Sequence, residues 1–320
     1  MEQRLVLKRA VWSVLIACFS TFLCFALLHY SKASVAFSEG VNTINPEIKE
    51  QVERNLNLDK PLFTQYKIWL SKVLKGDFGE SFISGEKVVN LLKMRLFNTL
   101  ILTLSALGFL FVFSIILSLL SLVYRDKIVD KIINLLSISF FALPSFALCL
   151  IFILIFGAIF QILPVLGTSD LGFEQDFLNR ISHLILPMSV LVLSHLAVFV
   201  RIGRNALIES FGQNFVLNAY ARGLSKTRIY LHFVLKYALN PIITYFGASA
   251  LSFIMGAYVI ESVFSYAGVG ELLIKSIIFK DYPVVLALIF ISVLLVSFFT
   301  FLADFLNRLI NPRLNKVLNV

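Results

Sequence analysis

"FNTLILTLSALGFLFVFSIILSLLSLVYRDKIVDK", residues 97–131, decides the class of this chain. No charged side chain occurs from Phe97 to Tyr124, and Arg125, Asp126, Lys127, Asp130 and Lys131 then arrive together. Crossing ~30 Å of hydrocarbon takes about 20 apolar residues in a helix, and this run exceeds that. Working outward, five further apolar stretches are long enough, at roughly 10–30, 132–160, 184–200, 241–260 and 284–306. The third span in chain order contains Pro144, which a membrane helix accepts as a kink when neighbours satisfy the freed carbonyl. The composition agrees: 58% of the 320 residues are hydrophobic and only 15% charged, too little polar surface to clothe a soluble domain. The expected fold is therefore an all-α integral membrane protein with six transmembrane helices.

A net charge of +9 raises the question of nucleic acid, and the placement of that charge answers it. With the N-terminus inside, cytoplasmic segments hold Arg4, Lys8 and Arg9, three basic residues in 125–131, six in 201–236, and Arg308, Arg313 and Lys316. The short opposite loops hold only Arg180, Lys275 and Lys280. Segment 31–96 holds ten, but a loop of that length translocates largely regardless of charge. Both termini are expected in the cytoplasm, and the basic charge marks topology without implying a nucleic-acid partner. The apolar run at 10–30 is longer than a signal h-region, so an uncleaved first span is expected despite the weak Ser34-Val35-Ala36 site. Cys18, Cys24 and Cys149 fall within spans without metal-type spacing, and read as small packing residues.

The expected domain plan is a cytoplasmic N-terminus with the first span at 1–30, an extracytoplasmic helical segment at 31–96, a core of five spans at 97–310, and a cytoplasmic tail at 311–320. In the outer segment, Asn45 and Pro46 suit a helix start, with Glu47 and Glu50 in the first turn. Asp59-Lys60-Pro61 breaks that helix, a second carries Tyr66, Trp69, Leu70 and Val73, and Gly76-Asp77-Phe78-Gly79 ends it. Gly268 and Gly270 mark a turn before a short amphipathic helix ahead of the last span.

The inner loop at 201–240 carries the functional signal. Across 205–222, Leu207, Phe211, Phe215 and Ala219 recur every four residues, with Glu209, Gln213 and Asn214 on the other side. Gly223 suits the left-handed residue that closes a helix, and Ser225 is a candidate cap for the next. Arg228, His232, Lys236 and Asn240 then form a polar stripe opposite Ile229, Leu231 and Leu235, and Pro241 opens the next span. Two readings stand: a basic helix pair resting on anionic lipid headgroups, or a docking element for a cytoplasmic protein. A helix that only lay on lipid would not need a tight glycine turn projecting its tip.

The sequence contains no GxxxxGK[ST] phosphate loop, HExxH or GxSxG, and no row of acidic residues in the spans that would make a proton relay. A chain without ATPase machinery of its own is expected, with no catalytic residues and no metal site. His195 is the main ionisable residue in mid-span: a translocation-path residue on one reading, a neutral hydrogen-bonded packing residue on the other. His183 and Met188 lack the spacing to extend it into a metal motif. Asp304 and Arg308 are placed for a local ion pair, and Glu261 is expected at the outer interface.

Five stretches carry a family resemblance: "LNLDKPLFTQYKIWLSKVLKGDFGESFISGEKVVNLL", "RLFNTLILT", "ESVFSYAGVGELLIKSIIFKDYPVV", the tail "NPR" at 311–313, and the inner-loop run Ala219-Tyr220-Ala221-Arg222-Gly223-Leu224. Together, and in their order along the chain, they resemble the permease subunits of ABC importers of the dipeptide, oligopeptide and nickel group. The general importer pattern of Glu-Ala-Ala, three residues and Gly places its Gly at Gly223 and second Ala at Ala219, while Leu217 and Asn218 replace the Glu and first Ala. The run as it stands is closer to the peptide branch. The resemblance implies a second homologous permease, two ATP-binding subunits that carry ATP and Mg, and an extracytoplasmic substrate-binding protein as partners. It also implies that Phe211, Phe215, Ala219, Tyr220, Ala221, Arg222, Gly223 and Leu224 form the ATPase-docking element. Short peptides are the expected substrate, nickel or a nickel chelate the alternative. An ATP-independent carrier or channel is the alternative of another class.

Overall fold

A computed structural model describes residues 2–30 and 61–310 of the chain, all of whose regular elements are helical. The helix expected after Asn45-Pro46, the NPR tail and the Arg308 side chain lie outside the described residues. In chain order the helices are α1 (Glu2–Tyr30), α2 (Leu62–Val73), α3 (Val88–Val123), α4 (Ile128–Ala142), α5 (Ser145–Phe152), α6 (Phe177–Phe211), α7 (Asn214–Ala221), α8 (Lys226–Arg228), α9 (Leu235–Ala248), α10 (Ala250–Val263), α11 (Val269–Ile278) and α12 (Tyr282–Ile310). Two π-helical segments, Ile153–Ile159 and Ile229–Val234, follow α5 and α8. Among the described residues, α3, α6 and α12 are long and apolar enough to cross a membrane, and two bent pairs raise the number to five. The apolar part of α1, Val11–Leu27, is shorter than these.

Both bends have a local cause or marker. At Pro144 the expected kink is a break: α4 and the helix from Ser145 to Ile159 meet at 102°. A proline ring disfavours helical backbone in the residue before it, and Leu143 is extended (φ −83°, ψ 128°). The second pair, Lys226–Ala248 and Ala250–Val263, bends by 57° around Ser249. Pro241, expected to open this span, lies inside α9. Likewise Pro187 lies inside α6.

The chain divides into two compact units. The first draws on residues 1–97 and 272–297. Here α2 seats on α1 through Tyr66, whose hydroxyl donates to the Cys18 carbonyl at 2.7 Å and lies 3.0 Å from Thr21 Oγ1. Phe22 meets the same ring edge-on at 5.2 Å. As expected, α2 carries Tyr66, Trp69, Leu70 and Val73, and Gly76 and Gly79 follow it with φ of +83° and +81°. The chain returns to α3 through a turn in which Asp281 accepts from Ser81 Oγ and from the Phe82 amide.

The second unit, 98–271 with 298–320, is built on small residues that let helices approach. A Cβ on Gly203 of α6 would lie 2.4 Å from Ser118 Oγ of α3, and one on Gly247 of α9 would lie 2.8 Å from the Ala303 Cβ of α12. Hydrocarbon gives apolar helices no reason to associate, so close backbone packing and interhelical hydrogen bonds must do it. Ser118 supplies one such bond, donating to the Val200 carbonyl at 3.0 Å. Phe109, Val112, Phe113 and Ile116 on α3 face outward instead, as suits a helix in an apolar medium.

Glu261, expected at the outer interface, is covered by the chain itself. Its side chain is fully buried at the end of α10, accepting from Thr99 Oγ1 at 2.7 Å and from the Gly270 amide at 2.6 Å. Thr99 Oγ1 accepts in turn from the Val269 amide, and Asn98 donates to the Ala267 carbonyl at 2.7 Å. Arg180 of α6 completes this corner by donating to Asn98 Oδ1 at 3.0 Å.

Candidate docking and coupling site

The loop at 201–240 folds as a helix–glycine–helix, with one departure from expectation. The helix anticipated across 205–222 is interrupted: α6 ends at Phe211, Gly212 follows, and α7 restarts at Asn214. It closes as its sequence requires. Gly223 has φ +74°; the Leu224 amide donates to the Ala219 carbonyl (3.3 Å) and the Gly223 amide to that of Tyr220 (2.9 Å). These are the two hydrogen bonds of a Schellman closure, which needs a left-handed residue, a conformation glycine adopts without the cost a Cβ brings. Ser225 is extended but makes no side-chain cap bond. A π-helical turn follows at Ile229–Val234, and Leu231, expected on the apolar face, is exposed, since it stands about 200° around the helix from the buried Ile229.

The structure sorts the expected docking residues into two groups. Ala219 is buried with Val216, Leu207, Leu122, Ile229 and Val234 in a core of the chain's own. Phe211 and Phe215 pack against that core; Phe211 stacks on Tyr230 at 5.7 Å and meets Tyr220 edge-on at 6.3 Å. Tyr220 and Leu224 are half-buried beside them. Leu217, Asn218, Ala221, Arg222 and Gly223 are exposed. Leu217 and Ala221 are four apart, as are Asn214, Asn218 and Arg222, so together they make one continuous face of α7. A helix of two turns thus rests on an apolar bed of its own chain and presents the opposite face, including an apolar Leu217 that is 69% exposed.

That bed belongs to the spans. Ser210, on the last turn of α6, donates to the Val234 carbonyl at 2.9 Å, and Leu119 and Leu122 bring the C-terminal end of α3 into the same core. The bed of α7 therefore draws on α3, α6 and the π-helical turn together. Just above lies a polar cluster the sequence reading did not single out: Asp130 of α4, Arg204 of α6 and Ser121 of α3.

The other expected residues sit elsewhere. His195 is on α6, its Nδ1 3.1 Å from the Leu191 carbonyl and its ring 4.9 Å from that of Phe253 on α10, opposite Gly256. His183 is buried, with Nε2 3.3 Å from Asp170 Oδ1 on the loop before α6. The Asn179 amide, donating to the Asp170 carboxylate at 2.7 Å, holds that carboxyl below its usual range. Burial pushes the Tyr266 hydroxyl up to about 12, so it stays neutral at ordinary pH. Among the described residues no three His, Cys, Asp or Glu side chains are grouped to hold a metal ion.

A family model for "Binding-protein-dependent transport system inner membrane component" matches residues 110–316, and one for the N-terminal part of such membrane components matches 2–103. The chain belongs to this family. It is a permease component of an ABC importer, a multi-pass protein of the bacterial inner membrane. The permease is 31% identical over 310 residues to the oligopeptide transport system permease protein AppB of Bacillus subtilis, covering 97% of this chain and 98% of that one. It is 31% identical over 306 residues to the metal-staphylopine import system permease protein CntB of Staphylococcus aureus, covering 95% and 94%. Among solved structures it resembles an inward facing MetNI methionine ABC transporter, with a TM-score of 0.56 and 18% identity over 69% of this chain and 96% of that one. At that identity the likeness supports the fold alone.

Proposed function

We propose that this permease forms, with a second similar permease, the path by which short peptides delivered by an extracytoplasmic binding protein enter the cell. The observation that carries the proposal is the exposed face of α7. It is short, rigidly backed by the spans, closed by a left-handed glycine, and opposite a buried Ala219. Leu217, Asn218, Ala221, Arg222 and Gly223 contact a groove on an ATP-binding subunit. Phe211, Phe215, Ala219, Tyr220 and Leu224 seat the helix on its own chain. ATP and Mg act in two such partner subunits, whose closure moves α7 as a rigid element and switches the spans between inward- and outward-facing states. The permease performs no covalent chemistry and holds no cofactor. In this reading the chain has six spans with both termini cytoplasmic, 10–30 supplying the first, and segment 31–96 lies outside.

Peptides are favoured by the near end-to-end match to an oligopeptide permease and by the run Ala219-Tyr220-Ala221-Arg222-Gly223-Leu224. A metal chelate is the second reading, favoured by the equally identical metal-staphylopine permease. The deciding experiment is ATPase activity of the complex in liposomes with its binding protein, titrated separately with di- and tripeptides and with chelated Ni²⁺. Stimulation by peptides alone supports the proposal; stimulation by the chelate alone replaces the substrate and leaves the coupling scheme standing.

A further inference from the structure

The polar cluster beside the docking helix has a geometry that plain charge neutralisation does not require. Arg204 meets Asp130 side-on: Nη2 donates to Oδ2 at 2.8 Å and Nε to Oδ1 at 3.1 Å. Arg204 Nε also donates to Ser121 Oγ at 2.9 Å, and Ser121 Oγ itself donates to Asp130 Oδ1. The remaining acceptor capacity of the carboxylate is filled by the Asn134 amide on Oδ1 (2.9 Å) and by the Asp126 backbone amide on Oδ2 (3.1 Å). That last bond fixes the turn between α3 and α4, where Asp126 has φ +63°. The Asp130 side chain is only 5% exposed and that of Arg204 only 21%. One guanidinium thus clamps the end of α3, the turn and the start of α4 to α6, with planar bidentate geometry that lysine cannot reproduce.

Its position gives the clamp a direction. Arg204 stands two turns before the end of α6, and that end meets α7 through Phe211 and Leu207 and is tied to the π-helical turn beneath α7 by the Ser210–Val234 bond. Displacement at α7 reaches α6 through Phe211, which meets Tyr220 edge-on, and through the π-helical turn bonded to Ser210. Apolar contact between spans in hydrocarbon slides easily, whereas a desolvated bidentate pair breaks only at the cost of an unpaired charge.

We propose that Arg204, held by Asp130 and Ser121, is a positioning residue that transmits the movement of the α7 docking helix from α6 to the α3–α4 hairpin. This rests on the coupling role proposed above. The pair adds no docking contact and touches no substrate; it sets how much of the ATP-driven movement reaches the neighbouring spans.

The test uses the whole complex with its binding protein in proteoliposomes, measuring uptake of labelled di- and tripeptides and ATP hydrolysis in the same vesicles, beside the melting temperature of each variant. Arg204→Lys keeps the charge and loses the fork; Ser121→Ala removes one brace and keeps the ion pair. The expected result is that Arg204→Lys hydrolyses ATP but lowers peptide moved per ATP by about fivefold or more, the low end of ordinary coupling between sites. Ser121→Ala should shift the ratio in the same direction by less. Should Arg204→Gln or Asp130→Asn fail to assemble, these two milder variants decide. An unchanged ratio in Arg204→Lys, or uptake and hydrolysis falling in proportion to lost thermal stability, overturns the inference and makes the pair merely structural. A wild-type complex without ATP-dependent uptake removes the coupling reading itself, and this inference with it.

Discussion

Gly268 has no room for a side chain: a Cβ there would lie 2.3 Å from Cδ of the buried Glu261. Gly270 is as confined, its Cβ position lying 2.2 Å from the Tyr258 backbone. Gly108, within α3, has nothing within 4 Å. Gly268→Ala should lower the thermal stability of the permease markedly, because the carboxylate must leave Thr99 and Gly270 while staying buried. Gly108→Ala should leave stability unchanged or raise it by a few tenths of a kcal/mol to about 1 kcal/mol, as helical propensity predicts. Melting of the two purified variants in detergent checks both. Gly223 is a third case: nothing crowds it, but φ +74° costs a residue with a Cβ roughly 1–2 kcal/mol. The glycine turn at 268 and 270 was legible in the sequence, as was the left-handed closure at Gly223. The burial of Glu261 was not, because its partner Thr99 lies 162 positions away and neither residue announces the other.

Among the elements, α7 makes the sharpest division. Its two faces differ in what a charge would do. Ala219→Glu places a carboxylate in the core with Val216, Ile229 and Val234, and should cost several kcal/mol and most of the folded protein. Ala221→Glu, two residues on and exposed, should leave the melting temperature within a degree or two while preventing the ATP-binding subunits from co-purifying. The four-residue repeat Leu207, Phe211, Phe215, Ala219 showed that one face is apolar. It did not show whether that face meets a partner or the chain itself, since both uses ask for the same side chains. The break at Gly212 and the π-helical turn after Arg228 depend on tertiary packing, and period counting along a single strand of sequence passes over them. At Pro144 the local rule named the position, yet a 102° break and a mild kink begin from the same dipeptide.

At the scale of the whole molecule, one uncharged run from Phe97 to Tyr124 was enough to establish a helical membrane protein, because hydrocarbon tolerates no unsatisfied backbone and few charges. Two clusters of polar side chains join helices of the second unit, one around Glu261 with Thr99, Asn98 and Arg180, the other around Asp130 with Arg204 and Ser121. The first ties α3 and α6 to the turn after α10; the second ties α3 and α4 to α6. Helices joined at discrete polar points behave as stiff pieces, which is what a transporter that alternates between two states requires.

The measurement that tests this account most directly is ATP-driven peptide uptake by proteoliposomes in which the Ala221→Glu permease is mixed with separately purified partner subunits, beside wild type treated alike and with the melting temperature of each permease. The account predicts that the variant permease melts with wild type and takes up no peptide in response to ATP, because the exposed face of α7 no longer seats on its partner. Uptake by Ala221→Glu at the wild-type rate would contradict it.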